Sequence, residues 1–297
     1  MNSKLRSYME VARANFLLTS ILPVMVSLGV AIYSGEKISW VLLAVTSVGI
    51  MSAHSLTNLT NEYYDFKKGI DSGNDSDTAH PLASGKITEN EVRILCLGTF
   101  ILSFISLIVV FSVRGPAVLL IGLAGLLAGY YYTAPPIEYK YRAWGEIMIL
   151  IFMGPLLGIG VFLSITGTIN MEVIAASIPQ GVIITAVLLS NNIRDLKKDT
   201  KAKIKTLPMR TGINKAYLIY SSLLFLSLIS VLISVLAGIL PIYSLAVLVT
   251  IPLVLSAIKK IYTKNVDIMK YIDLETLKIY ISVDVILILS LLAGRYF

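Results

Sequence analysis

The chain has 297 residues, of which 56% are hydrophobic and 14% are charged, and its mean hydropathy is +0.79. Soluble domains carry about a quarter charged residues, so this composition excludes an ordinary soluble protein and indicates an integral membrane protein. The formal net charge of +7 calls for no nucleic-acid partner, because basic residues beside a bilayer are attracted to anionic membrane lipids.

Nine apolar runs predict membrane-spanning helices, since a run of about 18 or more apolar residues is long enough to cross a bilayer. The first run is too long for the core of a signal peptide and is followed by no small-residue cleavage site, so we expect it to be retained. We predict an all-α fold, a bundle of nine transmembrane helices forming a single domain over residues 1–297. The predicted spans are 14–34, 38–58, 92–113, 115–134, 146–167, 173–192, 216–237, 240–258 and 278–296.

Basic residues lie almost entirely on one side of these spans. Of the 25 Lys and Arg residues, only Lys37, Arg114 and Arg295 fall on the other side. By the positive-inside rule, the N-terminus and the charged loops face the cytoplasm. An odd number of spans then places the C-terminus outside a cytoplasmic membrane.

Two long cytoplasmic loops, residues 59–91 and 193–215, carry matched polar motifs. The first begins with Asn61 and Asp65, and the second with Asn191, Asp195 and Asp199. Because side chains four residues apart share one face of a helix, each preceding span is predicted to continue beyond the bilayer and to present a row of oxygen atoms.

These oxygen-rich rows indicate a metal site. Carboxylate and amide oxygens are the ligands that magnesium prefers, and like charges on one helix face repel unless a cation binds between them. Magnesium usually keeps water and shares phosphate oxygens with a substrate. Because nearby cations accompany the motifs and the rest of the chain is apolar, the pattern predicts a lipid diphosphate as ligand.

His54 and Asp284 are among the polar residues that fall inside predicted spans. We interpret His54 as an interior histidine held by a hydrogen bond. Asp284, in the last span, is costly to insert as a charge, and it either faces the cavity or is protonated or hydrogen-bonded between helices.

Four stretches, in order along the chain, resemble the UbiA superfamily of intramembrane prenyltransferases. "ARANFLLTSILPV" (12–24) is similar to the first helix of that family, and "YYTAPPIEYKYRAWGE" (131–146) to the stretch after its fourth helix. "NLTNEYYDFKKGID" (58–71) with "HPLASGKIT" (80–88) resembles its first aspartate-rich region, and "NNIRDLKKDTKAKIKTLP" (191–208) the second.

The resemblance implies nine helices around a central cavity with a cytoplasmic cap. It further implies magnesium-dependent transfer of a prenyl chain from an allylic diphosphate to an acceptor, with two Mg²⁺ ions. The metal ligands implied are Asn61, Asp65, Asp71, Asp195 and Asp199. The residues implied for the diphosphate are Arg13, Asn61, Lys140 and Arg194. The catalytic residues implied are Asp65, Asp195, Asp199 and Tyr132.

The spacing from Asp65 to Asp71 and the "NNxRD" pattern are similar to the menaquinone-type branch, whose acceptor is 1,4-dihydroxy-2-naphthoate. The "PLASG" and "KTLP" stretches are also similar to archaeal ether-lipid enzymes, which leaves a glyceryl-phosphate lipid as the alternative to an aromatic quinone precursor. His80 and Lys203 depart from the residues common at their positions in the family.

Two other classes of membrane protein were weighed. A transporter places charged groups near the bilayer midplane among broken helices, whereas the charges here, apart from Asp284, lie mainly at one face. A CDP-alcohol phosphotransferase would carry a single dense aspartate motif, which this sequence lacks.

Overall fold

The computed structural model describes residues 3–13, 17–70, 80–263 and 266–297. Across these ranges the regular structure is helical, apart from one isolated bridge between Arg142 and Lys205. The helices are α1 (Ser3–Val11), α2 (Leu18–Tyr33), α3 (Trp40–Lys67), α4 (Glu89–Arg114), α5 (Pro116–Tyr131), α6 (Gly145–Phe152), α7 (Pro155–Thr166), α8 (Met171–Arg194), α9 (Leu196–Lys201), α10 (Leu207–Thr211), α11 (Ile213–Leu236), α12 (Ile251–Tyr262), α13 (Val266–Met269) and α14 (Ile272–Tyr296), with 3₁₀ segments at Tyr139–Tyr141 and Ile242–Thr250.

Within the described residues, seven helical segments are long and apolar enough to cross a membrane. They are Trp40–Lys67, Glu89–Arg114, Gly145–Thr166, Met171–Arg194, Ile213–Leu236, Ile242–Tyr262 and Asp267–Tyr296. Two shorter apolar helices, Thr19–Tyr33 and Pro116–Tyr131, coincide with the remaining predicted spans. The start of the first predicted span, residues 14–16, lies outside the described residues.

Helix α8 forms the centre of the bundle. It packs against α2, α6, α7, α11 and α14, and 83% of its most apolar stretch is buried. By contrast, α4 exposes Ile94, Leu97, Ile105 and Val113 on its outer face. An exposed aliphatic face of this kind is suited to contact with lipid tails.

The predicted span 146–167 is not one continuous helix but is broken between α6 and α7. Pro155 is placed in the first turn of α7, where the missing N–H of proline costs nothing. Gly154 lies against Gly181 of α8 so closely that a Cβ on Gly181 would lie 2.6 Å from the carbonyl oxygen of Leu150. The break therefore lets α6 and α7 approach the central helix.

Other helices differ from the predicted spans at their ends. Helix α3 continues to Lys67, nine residues beyond the predicted end at 58, as the polar motif required. Helix α14 begins at Ile272, before the predicted 278. The span predicted at 240–258 begins as a 3₁₀ segment before α12. The extra residues at these helix ends include polar side chains, which a prediction based on apolar runs leaves out.

Arg114 and Arg295, two of the basic residues predicted to lie outside, are at one end of the bundle. Arg114 donates hydrogen bonds to the carbonyl oxygens of Ser164 (2.9 Å) and Ile165 (3.0 Å). The guanidinium of Arg295 packs against Gly35. The other end holds the described parts of the two motif loops.

Candidate active site

The first motif ends helix α3, and its two oxygen-bearing side chains share one face of that helix. Asn61 and Asp65 are 5% and 4% exposed. The Nζ of Lys140 donates to the Asn61 amide oxygen (2.7 Å) and to one Asp65 oxygen (2.6 Å). The Tyr141 hydroxyl donates to the other Asp65 oxygen (2.6 Å). Both oxygens of Asp65 are therefore held in fixed directions.

The 3₁₀ turn at Tyr139–Tyr141 brings Lys140 and Tyr141 to α3. Glu138, which precedes the turn, has a φ of 47°, and its carboxylate pairs with Lys68 at 2.9 Å. Burial, with the adjacent negative charge of Asp65 adding, raises the pKa of Tyr141. The Tyr141 phenol therefore stays protonated and acts as a hydrogen-bond donor.

The second motif does not lie on one unbroken helix, which corrects the sequence-based expectation. Helix α8 ends at Arg194, and α9 begins after Asp195. The N–H of Asp195 still bonds the carbonyl oxygen of Asn191 (2.9 Å), and that of Asp199 bonds the carbonyl oxygen of Asp195 (2.9 Å). The four-residue hydrogen-bond spacing thus survives the bend, and both acids remain on the side of the site.

Asp195 and Asp199 have different surroundings. The Asp195 side chain is 38% exposed and accepts two hydrogen bonds from Arg194, from Nε (2.8 Å) and Nη2 (2.9 Å). Asp199 is buried, and one of its oxygens has no hydrogen-bond partner among the residues described. Burial, with the charge of Asp195 adding, raises the pKa of Asp199 to about 6.

The two motifs meet at the same end of the bundle. The N–H of Lys205, which follows α9, donates to the carbonyl oxygen of Tyr141 (3.2 Å). The charges of Lys140 and Asp65 both act on Asp199. Residues about 130 positions apart in the sequence therefore form one polar mouth.

This mouth opens on a cavity of about 1580 Å³. The predicted site residues that line it are Arg13, Asn61, Asp65, Tyr132, Lys140, Arg194, Asp195 and Asp199. The remaining predicted metal ligand, Asp71, lies outside the described residues. Deeper walls come from α3, α4, α5 and α7 and include Ile50, Leu107, Val110, Ile121 and Val161. A polar mouth over a largely apolar chamber suits a ligand with a charged head and an oily tail.

Aromatic rings surround the junction between mouth and chamber. The ring of Tyr132 lies edge-on to that of Tyr139, with centroids 5.3 Å apart. The Nζ of Lys140 is 5.8 Å from the Tyr132 ring centroid. A tyrosine ring face attracts cations by about 0.5–2 kcal/mol, so Tyr132 presents a cation-stabilising face at the cavity wall.

Sequence reasoning missed two acids near the site. Asp273 of α14 lines the cavity and pairs with Arg194. Glu146 accepts a hydrogen bond from Nδ2 of Asn192 (2.9 Å), although "WGE" ended a stretch already singled out. Asp273 belongs to no recognisable motif. Its position just before the final predicted span is the one sequence signal that could have drawn attention to it.

His54 and Asp284 both have hydrogen-bond partners in the structure. Nδ1 of His54 lies 2.6 Å from Oγ of Ser20, as expected for an interior histidine, and His54 also borders the cavity. Asp284 accepts a hydrogen bond from Gln180 of α8 (3.2 Å). It is thus bonded between helices.

The donor set fits a divalent cation that takes part of its coordination from another molecule. Within the described ranges, no three Asp, Glu, His or Cys side chains are placed to enclose a metal ion. The mouth nevertheless offers carboxylate and amide oxygens, including the unpartnered oxygen of Asp199. Magnesium is commonly held by one or two carboxylates, water and phosphate oxygens, which matches this arrangement.

The fold and the cavity define a class of all-helical membrane proteins that present two aspartate motifs over an apolar chamber. Residues 20–269 match the UbiA prenyltransferase family, and the chain belongs to that family of intramembrane prenyltransferases. The predicted family is confirmed.

Curated relatives are 30% identical to this chain over the aligned residues. The chain is 30% identical over 265 residues to UbiA prenyltransferase domain-containing protein 1 of Xenopus tropicalis, covering 88% of this chain and 75% of that protein. It is 30% identical over 203 residues to 1,4-dihydroxy-2-naphthoate octaprenyltransferase of Bacillus subtilis, covering 68% of this chain and 65% of the enzyme.

Solved structures share the fold at lower identity. A structure described as a digeranylgeranylglyceryl phosphate synthase in membranes has a TM-score of 0.68 at 22% identity, covering 98% of this chain and 99% of that chain. A UbiA homologue from Archaeoglobus fulgidus bound to GPP and Mg²⁺ has a TM-score of 0.59 at 20% identity, covering 95% and 99%.

Proposed function

We propose that this protein transfers a prenyl chain from an allylic diphosphate to an aromatic quinone precursor, with release of pyrophosphate inside the membrane. The observation that carries the proposal is the meeting of Asp65, Asp195 and Asp199 with Lys140 and Arg194 at one mouth of an apolar cavity. The relative solved with GPP and Mg²⁺ supports both the substrate class and the metal.

Each part of the mouth has a role in this reaction. Asn61 and Asp65, and Asp195 with Asp199, would hold two magnesium ions, with Asp71 as a further ligand. The metal supplies positive charge that stabilises the departing diphosphate. Arg13, Lys140 and Arg194 donate hydrogen bonds to the diphosphate oxygens, and such charge-assisted bonds are stronger than neutral ones.

The chamber serves the second half of the reaction. The allylic carbon–oxygen bond breaks, and its electron pair leaves with pyrophosphate. Tyr132 stabilises the resulting carbocation through its ring face. A carbon of the acceptor ring attacks, forms the new carbon–carbon bond and loses its proton. Apolar walls exclude the water that would otherwise capture the cation.

We propose that the single domain crosses a cytoplasmic membrane nine times, with its mouth and N-terminus in the cytoplasm and its C-terminus outside. We assign these crossings to the seven long apolar helices and to the two shorter ones. Labelling of single cysteines with a membrane-impermeant maleimide, after Cys96 is replaced by Ser, tests this. In intact cells K37C is expected to react, and K201C only after permeabilisation. The opposite pattern refutes the orientation.

The assay for function measures pyrophosphate released from geranylgeranyl diphosphate by the detergent-solubilised protein, with and without Mg²⁺. Acceptors are offered in parallel: 1,4-dihydroxy-2-naphthoate, 4-hydroxybenzoate and geranylgeranylglyceryl phosphate. We expect metal-dependent release with the naphthoate, in line with the Bacillus subtilis relative. Turnover with the glyceryl phosphate alone would establish the alternative acceptor, which the digeranylgeranylglyceryl phosphate synthase fold favours. A transporter would release no pyrophosphate with any of them.

A further inference from the structure

Two carboxylates hold Arg194. One belongs to the next residue in the sequence, and the other comes from the last helix. Its Nε and Nη2 atoms donate to Asp195, and its Nη1 donates to Asp273 in the first turn of α14. Asp273 is 6% exposed and borders the cavity. The guanidinium is therefore fixed on two sides at the mouth.

The two carboxylates hold different edges of a rigid group. A guanidinium presents its N–H donors in a planar fork, and one edge of that fork matches two oxygens of a carboxylate or a phosphate. Asp195 takes the Nε–Nη2 edge, whereas Asp273 takes the Nη1 end. If Asp195 turns to a metal, that edge becomes free while Asp273 still holds the arginine.

We propose that Asp273 is a positioning residue for the diphosphate: it keeps the Nε–Nη2 edge of Arg194 directed into the mouth when the substrate binds. The inference rests on the proposed function and adds a residue from the last helix to the two motifs. Asp273 contacts the diphosphate only through Arg194.

Two features of Asp273 favour positioning over simple packing. Its second oxygen is buried and has no hydrogen-bond partner in the described part of the chain, although an unpartnered buried polar atom is costly. Its place in the first turn of α14 brings its carboxylate to Arg194 at the end of α8. The side chain is thus held beside Arg194 at some cost to the stability of the fold.

The matched control is Glu275, two residues further along the same turn. Glu275 pairs with Lys260 and Lys278, each at 3.0 Å, and it is not among the residues that line the cavity in the described structure. E275Q removes an equal charge from the same helix end. D273N keeps the shape of Asp273 but removes its charge, and D273E keeps the charge on a longer arm.

The experiment measures equilibrium binding of geranylgeranyl diphosphate with Mg²⁺, and kcat and KM for diphosphate and acceptor. D273N is expected to weaken diphosphate binding about tenfold or more and to leave the KM for acceptor unchanged. D273E should restore part of the affinity, and E275Q should stay within about twofold of the wild type. In an R194Q background, D273N should change binding no further.

Three results would overturn the proposal. Equal diphosphate affinity in D273N and the wild type removes the positioning role but leaves the proposed function intact. A full additional loss in the R194Q background shows that Asp273 acts independently of Arg194. A wild-type protein that neither binds the diphosphate nor releases pyrophosphate overturns both this proposal and the proposed function.

Discussion

Gly125 of α5 allows a direct test of which prenyl chains the cavity admits. A Cβ built at Gly125 meets no described atom within 4 Å, and Gly125 lines the cavity. A larger side chain there would enter the chamber rather than a neighbouring helix. The change G125F therefore shortens the space available to the chain without displacing the bundle.

The depth of this obstruction follows from helix geometry. Gly129 packs against Thr57 of α3, and Thr57 lies about 12 Å below Asp65 at about 1.5 Å per residue. Gly125 is one turn deeper on α5, which places it about 18 Å below the mouth. An isoprene unit adds four chain bonds and spans about 4–5 Å by ordinary covalent geometry. The obstruction thus falls at about the fourth unit.

We expect G125F to retain turnover with geranyl diphosphate and to lose it with hexaprenyl diphosphate. Burial contributes about 0.8 kcal/mol per CH₂, so exclusion of even two carbons of the tail lowers kcat/KM by about tenfold. The assay compares kcat/KM for the two diphosphates. Retained geranyl turnover also shows that the variant has folded.

The control is G98F, because Gly98 is an exposed glycine on the outer face of α4, where an added Cβ also meets no described atom within 4 Å. G98F should affect both diphosphates equally. If G125F lowers kcat/KM for both diphosphates to the same extent, or for neither, the prenyl chain does not run past Gly125. This account of the cavity would then be wrong.

Three further predictions concern the site and the fold. Asp65→Ala or Asp195→Ala should abolish pyrophosphate release while the protein still inserts and elutes normally on size exclusion, and normal turnover in either would remove the metal argument. Gly181→Ala should lower the Tm, because its Cβ would lie 2.6 Å from a backbone oxygen; an unchanged Tm would show that α6 and α8 separate freely. Thr88→Ala, which breaks the capping box with Glu91, should cost about 1 kcal/mol, read as a fall in the unfolding midpoint.

The shared helix face of Asn61 and Asp65 was predictable because it depends only on their spacing along one helix. Asn61 and Asp65 share a helix face whenever α3 continues past the apolar run, and the structure continues that helix to Lys67. The apolar runs likewise predicted the helical class. The same reasoning failed at Asp195, where the helix bends although the four-residue hydrogen-bond spacing persists.

Features that depend on contacts between distant segments could not be predicted in this way. The break at Gly154 reflects its contact with Gly181, and neither glycine alone signals it. Asp273 is identified as part of the site only by its hydrogen bond from Arg194, which lies 79 positions away. The roles of all the predicted site residues stay predictions, although those that lie in the described ranges line the cavity.

The pairing of Arg194 with the final helix has a consequence for biogenesis. The arginine emerges from the ribosome long before Asp273 does, so until α14 is inserted it lacks one of its two counter-charges. The mouth of the cavity is therefore complete only after α14 is inserted. A nascent chain arrested before α14 should still balance the charge of Arg194 with Asp195, but it leaves the Nη1 end of the guanidinium without its carboxylate partner.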